Sequence, residues 1–94
     1  MTGSRTFVPQ SVTVAAGTVI VWTNTATALP HSVTSDTGVA GMSSATISAG
    51  KTFSWTVPAK AASGTKYYYH CEFHGSAGNG SAFGTGMVGV IIVQ

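Results

Sequence analysis

The sequence predicts an all-β domain, a Greek-key β-sandwich of about seven or eight strands. Three observations predict it. Apolar residues recur at every second position along most of the chain, clusters of Gly, Pro and Ser/Thr interrupt them at short intervals, and helical periodicity is nearly absent.

Val12 and Val14 alternate around Thr13 in a first strand, Val12 to Ala15, and Gly17 supplies the turn before the β-branched and aromatic run Val19 to Thr23. Thr25 to Leu29 reads as a loop, and Pro30 fixes the backbone just ahead of His31. Val33, Ile47, Phe53, Trp55 and Val57 continue the two-residue period, with Ala49-Gly50-Lys51 as the turn between Ile47 and Phe53. The one helical candidate, Pro58 to Ser63, has a proline suited to the first helical position but is only about one and a half turns long. Tyr67 to Cys71 reads as the end of a strand, after which the chain turns, and Met87 to Val93 is the last apolar run. No repeat or linker divides the chain, so a single domain is expected over residues 1–94, with residues 1–4 an added or disordered segment.

Charged residues make up 6% of the chain and the formal net charge is +2. Arg5, Lys51, Lys60 and Lys66 form no basic run, which argues against nucleic acid or an anionic membrane as a partner. Asp36 and Glu72 are the only side-chain acids, so acid–base enzyme chemistry is poorly supplied. One cysteine forbids an intrachain disulfide, and no stretch is long or apolar enough to span a bilayer.

The chemistry concentrates in Tyr67-Tyr68-Tyr69-His70-Cys71-Glu72-Phe73-His74, which holds the lone cysteine and two of the three histidines. A turn after Cys71 brings His74 back beside the sulfur, and His31 and Met87 are the other candidate members. Two His, one Cys and one Met make a copper set: imidazole suits both oxidation states, thiolate suits Cu(I), and a trigonal His2Cys site with a weak axial Met is an electron-transfer geometry. Strand alternation puts Tyr67, Tyr69 and Cys71 on one side and Tyr68 and His70 on the other, so His70 is excluded from the metal bound by Cys71. Taken singly, a lone Cys or His is more often an ordinary buried or surface residue.

The joint pattern resembles the cupredoxins, the small blue-copper proteins that include plastocyanins, pseudoazurins and amicyanins. Phe7-Val8-Pro9, Val12-Thr13-Val14, Ala16-Gly17-Thr18, Val21-Trp22-Thr23-Asn24, Pro30-His31-Ser32-Val33, Tyr69-His70-Cys71-Glu72-Phe73-His74 and Gly86-Met87-Val88-Gly89 carry the resemblance, in that order. It implies one copper per chain bound by His31, Cys71, His74 and, axially, Met87. It also implies a one-electron carrier rather than an enzyme, a monomer working between a redox protein donor and acceptor, in the periplasm or another extracytoplasmic space with its export signal missing here. The alternatives are a small copper enzyme acting on nitric oxide or nitrite, and a copper carrier. Met42 is a rival axial sulfur, but relatives usually place a large apolar residue there, which favours a core role.

Several positions depart from the family. Gly75 to Gly86 spans twelve residues, five of them glycine, where plastocyanin-like members have a handful. This loop is expected to be flexible and to lie near the edge of His74, covering it, contacting a partner through Phe83, or being a neutral insertion. Ser32 stands where many relatives have an Asn that bridges the two ligand loops, which leaves open whether its shorter side chain reaches the segment after Cys71. His70 is expected to be an exposed residue or a route for electrons, and Glu72 to point to solvent.

Overall fold

The computed structural model describes residues 1–94 and contains strands and turns only. Six strands form: β1 (Ser11–Val14), β2 (Val19–Thr23), β3 (Thr34–Ser35), β4 (Thr52–Thr56), β5 (Lys66–Ser76) and β6 (Thr85–Val93). Four make one sheet in the order β1-β6-β5-β3, and β2 pairs antiparallel with β4 in a second. β1 lies parallel to β6, whereas β5 is antiparallel to both β6 and β3. Central β6 is buried at every position from Met87 to Ile91, which is why its sequence is a nearly continuous apolar run rather than an alternation.

The strand count falls short of the seven or eight expected because the Ile47 segment makes only an isolated bridge, to His31. Serine hydroxyls take the place of a ladder there. Val33 N–H donates to Ser44 Oγ at 3.0 Å and Ser35 N–H to Ser43 Oγ at 3.1 Å, so side chains satisfy the backbone donors that a neighbouring strand would otherwise take. Pro58–Ser63 is a pair of turns, not a helix, closed by Ala61 N–H to Pro58 O and Thr65 N–H to Ala62 O. About one and a half turns is too short to offset the cost of helix nucleation.

Trp22 and Trp55 point inward from β2 and β4 and meet Tyr69 and Tyr67 from β5, while Phe53 stacks on Trp22. Trp22 packs edge-on to Tyr69 at 5.3 Å between ring centroids, and Trp55 edge-on to Tyr67 at 5.1 Å. The core therefore joins the two sheets through aromatic rings. The first residues close its side: Met1 is 5% exposed, and its carbonyl accepts from both the N–H and the Oγ1 of Thr25. Met1 is thus packed, whereas Gly3 and Ser4 are exposed.

Tyr69 lies directly opposite Gly89 on β6, and its ring covers the place where a Cβ of residue 89 would stand. With Phe7 edge-on at 4.7 Å and Trp22 on another side, the ring has nowhere to retreat. Gly89→Val should therefore lower stability by about 1–3 kcal/mol, read as a lower denaturant midpoint at unchanged slope. An unchanged midpoint would show that Tyr69 can move aside freely.

Candidate metal centre

The strand expected to end at Cys71 runs on to Ser76, but its pairing with β6 slips. His70 lies opposite Val88 and Gly75 opposite Gly86, so the four residues Cys71 to His74 face the single residue Met87. In a regular strand Cys71 and His74, three apart, would point to opposite faces. The bulge removes that restriction and bends the strand so that both side chains reach one point. Glycine is needed at the neck beyond it: a Cβ on Gly75 would strike the Met87 backbone, and Gly86 takes a φ of 76° against the His74 carbonyl.

His31 arrives from the other side of the chain, forty positions earlier than Cys71. Its approach is set by Asn24, a fully buried amide just past the end of β2. Asn24 Nδ2 donates to Leu29 O at 2.9 Å and Ile47 O at 2.8 Å, while its Oδ1 accepts from Ala26 N–H at 3.0 Å. One side chain thereby shapes the loop into Pro30 and anchors the Ile47 segment that bridges His31. Sequence reasoning places Asn24 in a motif but assigns it no role, because nothing local shows that its amide will be buried among three backbone groups.

The Sγ of Cys71 lies 3.7 Å from His31 Nδ1 and 3.6 Å from His74 Nδ1, and the three atoms all lie within 4.8 Å of one another. Cys71 and His31 are fully buried and His74 is half-buried. His31 Nε2 is 2.9 Å from the Thr2 carbonyl, which can only accept, so Nε2 carries the proton and Nδ1 is the free donor atom. The Ser32 N–H donates to the Cys71 sulfur at 3.4 Å, which fixes where the sulfur sits. Ser32 also answers the question its short side chain raised: Oγ accepts from Glu72 N–H at 3.0 Å and ties the two loops directly.

Met87, 1% exposed, shares the core cluster with Cys71 and faces the bulge through the pairing of β6. Met42 is equally buried in that cluster, as a core residue. Two imidazole nitrogens and a sulfur converging in a buried place, with a thioether on the strand opposite, fit a copper ion and suit Mg²⁺ or Ca²⁺ poorly. Glu72 is exposed, as expected.

His70 points to the other side of the sheet, as alternation requires, but it is not an exposed residue. Its side chain is 13% exposed and its Nδ1 lies 2.7 Å from Asp36 Oδ1. The long loop also departs from expectation. Gly75 and Ser76 pair with Gly86 and Thr85 to extend the hairpin, and residues 77–84 fold back onto Tyr68 and Asp36. The β3–β5 register that brings Asp36 beside His70 has no signature in either segment.

Two outcomes follow from this geometry. Asn24→Asp keeps the shape but loses both amide donors, and should cost on the order of 3 kcal/mol by leaving the Leu29 and Ile47 carbonyls short of partners; a wild-type melting temperature would show that water replaces the amide. The second concerns pH. Burial holds His31 below its ordinary pKa of 6.5, with the Thr2 carbonyl opposing and the charges of His74, the N-terminus and Arg5 adding. In the window below 6.5 the unfolded chain therefore binds more protons than the folded one. This contribution to the metal-free protein's stability is complete above about pH 6.5 and is lost as pH falls through the lower folded value. Denaturant midpoints should drop between about pH 7.5 and 5 and drop less in His31→Gln.

The family profile of copper binding proteins, plastocyanin/azurin family, matches residues 2–94. Among solved structures, a purple cupredoxin from Nitrosopumilus maritimus is 24% identical, with 98% of this chain and 85% of that one covered and a TM-score of 0.65. A proline-to-glycine variant of amicyanin in its reduced Cu(I) form at pH 4 is also 24% identical, covering 90% and 70% with a TM-score of 0.64. An oxidised proline-to-alanine variant of amicyanin aligns over the same shares with a TM-score of 0.63. No curated protein sequence matches the chain. The likeness in fold agrees with the all-β sandwich. With the profile spanning nearly every residue, the chain belongs to the plastocyanin/azurin family of copper-binding proteins, and copper is its cofactor.

Proposed function

We propose that the protein is a one-electron carrier whose single copper is held by His31 Nδ1, Cys71 Sγ and His74 Nδ1, with Met87 as a fourth, weaker donor. The observation that carries this reading is the convergence of the three donor atoms within 4.8 Å, with neither side-chain acid among them. Bound copper supplies Cu(I)/Cu(II) exchange. The chain supplies rigidity. Asn24, Ser32 and the bulged strand fix the donors from three directions, so that they need not rearrange when the charge at the centre changes.

Half-buried His74 is the donor nearest solvent, and the neighbouring Phe73 is 45% exposed. A redox partner meets the protein there, by local apolar contact more than by charge, because few charges exist to steer it. Working as a monomer in an extracytoplasmic space is part of the same proposal. No helix is long and apolar enough to cross a membrane.

Titration of the metal-free protein with Cu(II) tests the reading. An intense thiolate-to-copper absorption saturating at one copper per chain, with narrow copper hyperfine splitting in electron paramagnetic resonance, is the expected result. Weak colour with ordinary splitting would overturn it and favour a copper carrier. Cys71→Ser should abolish the band, and Met87→Leu should keep it while raising the reduction potential. If Met87→Leu leaves both spectrum and potential unchanged, Met87 is not a donor.

A further inference from the structure

One carboxyl group joins the long loop to the strand that carries Cys71. The Asp36 side chain is 1% exposed, and both of its oxygens are used: Oδ1 accepts from His70 Nδ1–H at 2.7 Å and Oδ2 from Gly78 N–H at 2.9 Å. A buried carboxyl group is costly unless hydrogen bonds replace its water. Here one partner belongs to β5 and the other to the loop. Asp36 is itself anchored, since its own N–H donates to Tyr68 O at 3.0 Å just beyond β3.

Other contacts hold the loop against the same face. Phe83 meets Tyr68 edge-on at 5.4 Å between centroids, Tyr68 Oη donates to Ser81 O at 3.4 Å, and Gly80 lies against Thr37. These are weaker: Phe83 remains 43% exposed and the Tyr68 bond is long and exposed. The base of the loop, where Gly75 pairs with Gly86, adjoins His74. A loop of this length can extend roughly 13 Å from its base, enough to cover the imidazole next to it. The loop's one hydrogen bond to a buried side chain is the Gly78 N–H on Asp36 Oδ2, and His70 holds the other oxygen of that carboxylate.

We propose that Asp36 is a positioning residue for electron transfer: by clamping Gly78 to His70 it holds the loop on the outer face of β3 and β5 and keeps the His74 edge open to a redox partner. The role rests on the electron-carrier reading, and the test separates the two. In copper-loaded Asp36→Ala, amide exchange at Gly78 should speed up by at least about tenfold, while absorption and paramagnetic resonance spectra stay as in the intact protein. Electron self-exchange should slow by about threefold or more as the freed loop crosses His74. Replacing residues 77–84 by Gly-Gly, a loop that fits a two-residue hairpin, should restore the rate in the Asp36→Ala background. Rescue of this kind is not expected if Asp36 merely stabilises the fold.

Asp36→Leu, close in shape and without a hydrogen-bonding side chain, is judged by the same readouts should the alanine variant fail to fold. Wild-type exchange at Gly78 in the variants, unchanged self-exchange with a freed loop, or failure of the shortened loop to restore the rate would each overturn the proposal. An intact protein lacking the intense band sinks the carrier reading and the access role together; a normal band with a protected Gly78 in the variants sinks the clamp alone.

Discussion

The slip in pairing between β5 and β6 is the constraint on which the site depends. Four residues of one strand stand against one of the other, and without that mismatch Cys71 and His74 could not share a face. The glycines at the neck, the burial of Met87 and the path of the loop all follow from accommodating extra chain at a point where two central strands stay close. A regular hairpin of the same composition would bury Cys71 and turn His74 to the opposite side.

Around this point the chain uses neutral hydrogen bonds where more highly charged proteins use ion pairs. Asn24 gathers three backbone groups, Ser32 ties the loop of His31 to the residue after Cys71, and the Thr2 carbonyl orients the His31 ring. Asn24, His31 and Ser32 are fully buried, and no buried side-chain nitrogen or oxygen lacks a partner. Satisfied polar networks of this kind lock a single arrangement, because every alternative leaves a group unpaired.

Much of this is legible in the sequence. The alternation of Phe53 and Trp55 with Ser and Thr in Thr52–Thr56 identifies a sheet face, and the joint pattern picks out His31, Cys71 and His74, whose donor atoms the fold brings together. What stays hidden depends on contacts between distant segments. Nothing near Ile47 announces that Ser43 and Ser44 will replace a strand neighbour, and the bulge after His70 has no local signature, because it exists only relative to Met87. No neighbour in the chain marks Asp36 as a buried acid; only the β3–β5 register places it beside His70.

The forty positions between His31 and Cys71 have a further consequence. An ion held by both closes a large loop of chain, which is the topological effect of a disulfide. A domain whose only thiol has no thiol to pair with can thus still be cross-linked through its middle. The fastening opens to a chelator or to acid rather than to a reductant, so the reducing agents that dismantle disulfide-stapled domains leave its backbone closure in place.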